Sequence, residues 1–178
     1  MKKIIFFISL SVFVWSCNSP KDEPATTATT DDGTKSTADL AYNASYSSSF
    51  NTDVSDADLK MVLMSYKDWA DGNMGNVANE YGDTLNWDRP SGDHYKLPNA
   101  DIMKMWSTYR DSLSSITIDM QAWQKMYATD KKEAYIVTWY KETDTYKTGK
   151  VDSAYYHDIN QVKDGKITEL SQYKRPAK

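Results

Sequence analysis

Among 178 residues there is one cysteine, Cys17, with two histidines, 5 prolines and 7 glycines. A single thiol excludes a disulfide framework within the chain, and two imidazoles with no Cys or His at ligand spacing exclude a zinc module. The composition also excludes collagen-like, coiled-coil and multi-pass membrane proteins. No apolar run reaches the roughly 20 residues of a spanning helix. Basic residues are not in excess: 21 Lys and Arg stand against 25 Asp and Glu, a formal −4, so the electrostatic footprint of a nucleic-acid binder is missing. Gly-rich phosphate loops, nucleophile elbows and kinase signatures are absent too. Nucleophilic catalysis therefore has no support, and neither a cofactor nor a metal is implied. Phenylalanine is missing in a more local way. All four (Phe6, Phe7, Phe13 and Phe50) precede residue 51, whereas most of the 6 Trp and 13 Tyr follow it.

What is present at the N-terminus reads as an address. Lys2 and Lys3 precede an uncharged run, Ile4 to Trp15, which is too short to span a bilayer and has the form of a signal-peptide hydrophobic region. Cys17 stands where that region ends, after Val14-Trp15-Ser16. This pattern resembles the bacterial lipoprotein box, with Trp15 bulkier than the small residue usual there. The resemblance implies cleavage after residue 16 and lipidation of Cys17, which would hold the protein on a bilayer through two or more acyl chains. Residues 17–52 follow as a Ser/Thr-rich segment poor in large apolar side chains, expected to be a flexible tether. Lys21-Asp22-Glu23 resembles a surface-export signal of Bacteroidetes lipoproteins, and is equally a solvated charge cluster. The expected location is the cell envelope, on the outer membrane, facing either the periplasm or the exterior.

Residues 53–178 carry the folded part, within the roughly 100–200 residues of one domain. Ser55 with Asp58 three residues on resembles a capping box. Leu59, Val62, Leu63, Tyr66 and Ala70 follow at helical spacing, predicting a helix over about 56–71. A short helix over Met74–Tyr81, a strand over Thr84–Asp88 and a turn at Arg89-Pro90-Ser91-Gly92 come next. A third helix opens at Pro98-Asn99 and carries Ile102, Met105, Trp106, Tyr109 and Leu113 on one face. His94 falls between them in a loop. From residue 115 the period drops to 2, and four strands joined by short turns, the last at Asp164-Gly165, predict an antiparallel meander. Helices first and strands after give an α+β architecture.

That order, with Trp69-Ala70-Asp71-Gly72-Asn73, Trp87-Asp88-Arg89-Pro90 and Val162-Lys163-Asp164-Gly165-Lys166-Ile167, resembles the nuclear-transport-factor-2-like superfamily over about residues 54–175. Ketosteroid isomerases and SnoaL-type polyketide cyclases belong to it. The resemblance implies a cone in which helices pack on a curved antiparallel sheet around a pocket, and in many members a dimer through the open sheet face. Carried over to this chain, the isomerase's donor Asp falls on Asp158 and its donor Tyr on Ser65, one step from Tyr66. Its proton base falls on Arg89, which cannot accept a proton. Asp88 is its neighbour.

Three readings follow. The favoured one is a lipid-tethered, non-catalytic domain that binds a small apolar or ring-bearing ligand in a pocket of Tyr66, Trp69, Trp87, Trp106, Tyr156 and Asp158. The second is an isomerase, dehydratase or cyclase using Asp158 with Asp88 or Tyr66. The third is a protein-interaction module, a homodimer included, using the sheet face with Trp123, Trp139, Tyr155 or His157. On a strand His157 and Asp158 point to opposite faces and cannot form a dyad, and Asp158 has a bland alternative as a carboxylate satisfied by Arg89 or a backbone donor. The anchor has its own test. Cys17→Ser should move the protein from the detergent phase to the aqueous phase on partitioning, and an unchanged partition would refute the lipid.

Overall fold

The computed structural model describes residues 40–177. The signal segment, Cys17 and most of the expected tether lie outside the described residues. Within them, Ser55 caps α1 (Asp56–Asp71): its hydroxyl accepts the Asp58 backbone N–H at 3.0 Å. At the other end Gly72 takes a left-handed conformation, φ 80°, that lets the Asn73 N–H reach back to the Asp68 carbonyl at 2.8 Å. Arg110 from α3 (Asn99–Asp111) reinforces that end by donating to the carbonyls of Trp69 and Ala70. α2 (Met74–Glu80) lies between the two longer helices in sequence and runs directly into a strand.

The strands are β1 (Phe50–Asn51), β2 (Tyr81–Asp88), β3 (His94–Pro98), β4 (Leu113–Ala128), β5 (Glu133–Tyr146), β6 (Val151–Lys163) and β7 (Lys166–Pro176). They form one sheet in the order β1-β4-β5-β6-β7-β2-β3. The predicted meander is present as β4 to β7, antiparallel throughout, and register shifts in β4 and between β6 and β7 are the bulges that bend such a sheet. The expected α+β class, with helices packed on a curved sheet, is what the structure has. Among the described residues no helix is long and apolar enough to cross a membrane.

Four local departures have physical reasons. His94 is not in a loop: it opens β3 and pairs with Asp88, because the Arg89–Asp93 turn returns the chain antiparallel to β2. Leu113 is not on the third helix; it begins β4 opposite Tyr146, where it is buried. β2 joins β7 in parallel, a long-range pairing that no local period encodes. The stretch assigned to the tether also ends early. Phe50 and Asn51 pair with Ala128 and Tyr127, Tyr46 bonds the Tyr135 hydroxyl at 2.7 Å, and Ser47 bonds Asp130 at 2.6 Å. The end of β4, Asp130 on the β4–β5 turn and Tyr135 in β5 supply these partners, so residues 46–51 are fixed to the sheet despite their low hydrophobicity.

Alternation along β5 separates two faces. Ile136, Thr138, Tyr140 and Glu142 are buried beneath the helices, while Trp139 between them is exposed on the open side. The core gathers on the helix side around Val62, Leu85, Ile102, Ile136 and Ile167. A Cβ at Gly72 would lie 3.2 Å from Arg110 Nη2 in a backbone region costly for any L side chain. Gly72→Ala should therefore lower stability by roughly 1–2 kcal/mol in urea unfolding, and a neutral effect would show that this cap is not needed.

Candidate functional site

The inner face of α1 presents Val62, Ser65, Tyr66 and Trp69 at helical spacing, and Tyr66 and Trp69 reach toward the concave side of the sheet. Opposite them, strand register lays out a polar row. Thr138 on β5 pairs with Asp158 on β6, which pairs with Gln172 on β7. Between helices and sheet lies a cavity of about 460 Å³. Its wall includes all six expected pocket residues, Tyr66, Trp69, Trp87, Trp106, Tyr156 and Asp158.

Asp158 is wholly buried on the cavity floor. Its Oδ2 accepts from the Tyr140 hydroxyl at 2.9 Å, the Tyr66 hydroxyl at 3.0 Å and Gln172 Nε2 at 3.2 Å. Each donor is itself oriented. Trp87 Nε1 donates to Gln172 Oε1 at 2.9 Å, which turns the amide nitrogen toward Asp158. Asn160 donates to the Tyr66 oxygen at 3.0 Å, so the Tyr66 proton is free for the carboxylate. Oδ1 of Asp158 has no protein partner. Burial raises this carboxyl to about 6, against the downward pull of the hydrogen bonds from Gln172, Tyr140 and Tyr66. The two hydroxyls, buried beside a carboxylate, are held protonated far above their usual range.

A second carboxyl lies two same-face positions along β5 from Thr138. Glu142 lines the cavity and is 8% exposed; its Oε2 accepts Trp69 Nε1 at 3.1 Å. Burial, then the charge of Asp144, pushes it up to about 8. Asp144 follows on the same face, raised mainly by burial, and accepts the Tyr109 hydroxyl at 2.7 Å. Aromatic rings close the helix side: Trp106 stands edge-on to Trp69, Tyr81 and Trp87 at centroid distances of 6.3, 5.1 and 5.3 Å.

The catalytic candidates separate. Asp158 and Tyr66 meet, but Asp88 does not join them. It bonds His94 at 2.5 Å and Ser171 at 2.8 Å, is half exposed, and those bonds hold its carboxyl below the usual range. The bland expectation for Asp158 also needs correction, since its partners are two Tyr hydroxyls and an amide. Arg89 is turned to Asp93, 3.6 Å away, with its guanidinium 5.1 Å from the Trp87 ring. Tyr140, Gln172 and Glu142 were not among the expected site residues. The alternation of β5 carried a signal for two of them, because Tyr140 and Glu142 are in phase with Ile136 and a Glu in phase with a core face needs a reason. Among the described residues no three His, Cys, Asp or Glu side chains could hold a metal ion.

No family model matches the chain, and no curated protein does. Solved structures do match in fold. An LEH-like epoxide hydrolase of M. tuberculosis superposes with a TM-score of 0.57 at 10% identity, over 67% of this chain and 83% of that one. An NTF2-like protein of Anabaena variabilis gives 0.56 at 16% identity, over 71% and 96%. A candidate ketosteroid isomerase of Kribbella flavida gives 0.53 at 8% identity, over 69% and 81%. At such identities the likeness is one of fold, and the fold is nuclear-transport-factor-2-like.

The two raised carboxyls fix a pH dependence of stability. Folded, both bind protons more tightly than the unfolded chain does, so their contribution is present in full below about pH 4 and is lost as pH rises through 6 for Asp158 and 8 for Glu142. Between pH 5 and pH 8 the melting temperature should fall, by on the order of 10 °C. Glu142→Gln, which keeps an acceptor for Trp69, should flatten the part of the fall above pH 6. A melting profile in Glu142→Gln as steep as the wild type's would contradict the assignment.

Proposed function

We propose that residues 53–178 form a small-molecule enzyme of the general acid–base class, held to the outer membrane through lipidated Cys17. The substrate is a largely apolar, ring-bearing compound of a size to enter the aromatic cavity, and Asp158 is the proton acceptor. One observation carries the reading: a wholly buried carboxylate on the floor of a cavity, with one oxygen held by three donors and the other unpartnered. An unpaired buried oxygen costs about 1–3 kcal/mol, and the one on Asp158 belongs to a residue of the cavity wall. With its carboxyl near 6, Asp158 is ionised at neutral pH yet basic enough to take a proton, the balance a general base needs.

The sequence favours binding without catalysis because Arg89 occupies the position that the isomerase resemblance gives to the base. The geometry supports a different division of roles. Asp158 acts as the base, while Tyr66, Tyr140 and Gln172 hold Oδ2 and fix the carboxylate plane. The step this allows is removal of a proton, either from carbon next to a carbonyl or from a water attacking a strained ring. The names epoxide hydrolase and ketosteroid isomerase, borne by fold neighbours, describe reactions of those two kinds.

The test is a panel of cyclic ketones, enones and epoxides in D₂O, with deuterium uptake and ring opening followed by mass spectrometry. Wild-type turnover should rise with pH through about 6 and then level off. Asp158→Asn should lower it about 100-fold or more. Equal rates in the two proteins would remove Asp158 from the chemistry, and ligand retention without turnover would return the domain to the binding reading.

A further inference from the structure

The end of the cavity beyond Tyr140 has a character of its own. Glu142 is 8% exposed and lines the cavity, and Asp144 behind it is 6% exposed with Oδ1 buried and unpartnered. Among the described residues neither has a Lys or Arg nitrogen within 4.0 Å. Two buried carboxyls in succession without a counter-ion are unusual, because buried charge is normally paired. Around them stand Trp69, Trp106, Tyr109 and Tyr156, all lining the same cavity. Trp69 and Tyr109 are parallel within 6°, with centroids 6.3 Å apart. Both commit their polar hydrogens to the carboxyls, Trp69 to Glu142 and Tyr109 to Asp144. What they present to a ligand is ring surface.

Aromatic faces and an unpaired carboxylate together form the setting that recognises an organic ammonium group. We infer that the cavity takes a cationic ligand, an amine or quaternary ammonium carried on an apolar ring body, whose charge lies against Glu142 among Trp69, Tyr109 and Tyr156. This names the substrate class of the acid–base site and rests on that reading of the cavity. The reacting part of such a molecule lies over Asp158, and its ammonium end sits two residue rows away along β5.

The charges facing Glu142 come from several elements. Asp144 follows it on β5, Asp158 is on β6, and Lys174 on β7 is the nearby cation. Asp152 on β6 and Arg110 on α3 act on Asp144 behind it. Lys174 is exposed at the rim, with its ammonium 5.5 Å from the Tyr156 ring, the face a ligand cation would share. Arg89, also on the wall, is already paired with Asp93. Lys174 is therefore the group that an incoming cation displaces or opposes.

The experiment is titration calorimetry of the full-length protein at pH 7 with phenethylamine, its trimethylammonium derivative, phenethyl alcohol and hydrocinnamate. The amine and the quaternary ion should bind about tenfold or more tighter than the alcohol and the acid. Binding should release a proton, read as a heat that differs between phosphate and Tris buffers, because Glu142 is held protonated until a cation arrives. Glu142→Gln should abolish both the preference and the proton release with melting intact, and Lys174→Met should tighten amine binding. Equal or better binding of the alcohol or the acid, a preference that survives Glu142→Gln, or no amine binding at millimolar concentration would each overturn the inference. The readout is binding alone, so failure of turnover leaves this outcome legible, and an alcohol preference leaves the role of Asp158 untouched.

Discussion

Everything on the concave side of this domain is arranged around one carboxylate removed from water. An isolated ionised Asp158 would be prohibitively costly in an apolar core, and proteins escape that cost by pairing, hydrogen bonding or neutralising the group. Here the solution is hydrogen bonding from three elements at once. Tyr66 comes from α1, Tyr140 from β5 and Gln172 from β7, so the same oxygen ties the helix layer to the sheet and two strands to the one between them. Asn160, Thr138 and Trp87 then serve the donors. A network of this kind is stable only when nearly complete, and here two buried oxygens in it, Oδ1 of Asp158 and Oδ1 of Asn160, have no protein partner.

The same logic accounts for the Trp and Tyr composition. Phe would fill the cavity wall equally well by volume but would offer neither N–H nor O–H. Trp69, Trp87, Tyr66, Tyr109 and Tyr140 each direct a polar hydrogen at a carboxylate or an amide oxygen. The aromatics are thus both the apolar lining and the donors that make buried carboxyls tolerable. On the other side of the sheet the rings have a different setting. Trp139, His157 and Tyr173 lie opposite one another in register on β5, β6 and β7, the first two stacked at 4.8 Å, with Tyr173 well exposed.

Local signals in the sequence reached most of the architecture. The capping residue Ser55, the glycine at 72, the change of period at 115 and the Asp164-Gly165 hairpin all appear where short-range chemistry demands them. Pairings that depend on the whole chain were not legible: no local pattern places β2 parallel to β7, or docks Tyr46 on Tyr135. For the site, the six expected pocket residues came from the family resemblance, which puts their elements along the wall of its pocket. The donors Tyr140 and Gln172 were harder, since a strand tyrosine or glutamine looks the same whether it faces solvent or a carboxylate. Asp88 failed for the opposite reason. It is adjacent in sequence to Arg89, the position that the resemblance gives to the base, but β3 returns alongside it and gives it His94 on the outer surface.

The parallel joint between β2 and β7 bears on how the chain reaches its native state. β7 is the last strand made, and it inserts between β6 and the strand that carries α2 and α3 into the fold. Until β7 is in place, β2 and β3 have no connection to the rest of the sheet, and Asp158 lacks Gln172. Loop closure over some eighty-five residues must therefore precede the last gain in burial, a topology that slows folding. A chain of this design has no complete sheet until its C-terminal strand joins it. It also has little tolerance for the loss of its last dozen residues, because truncation there would remove the strand that joins the two halves.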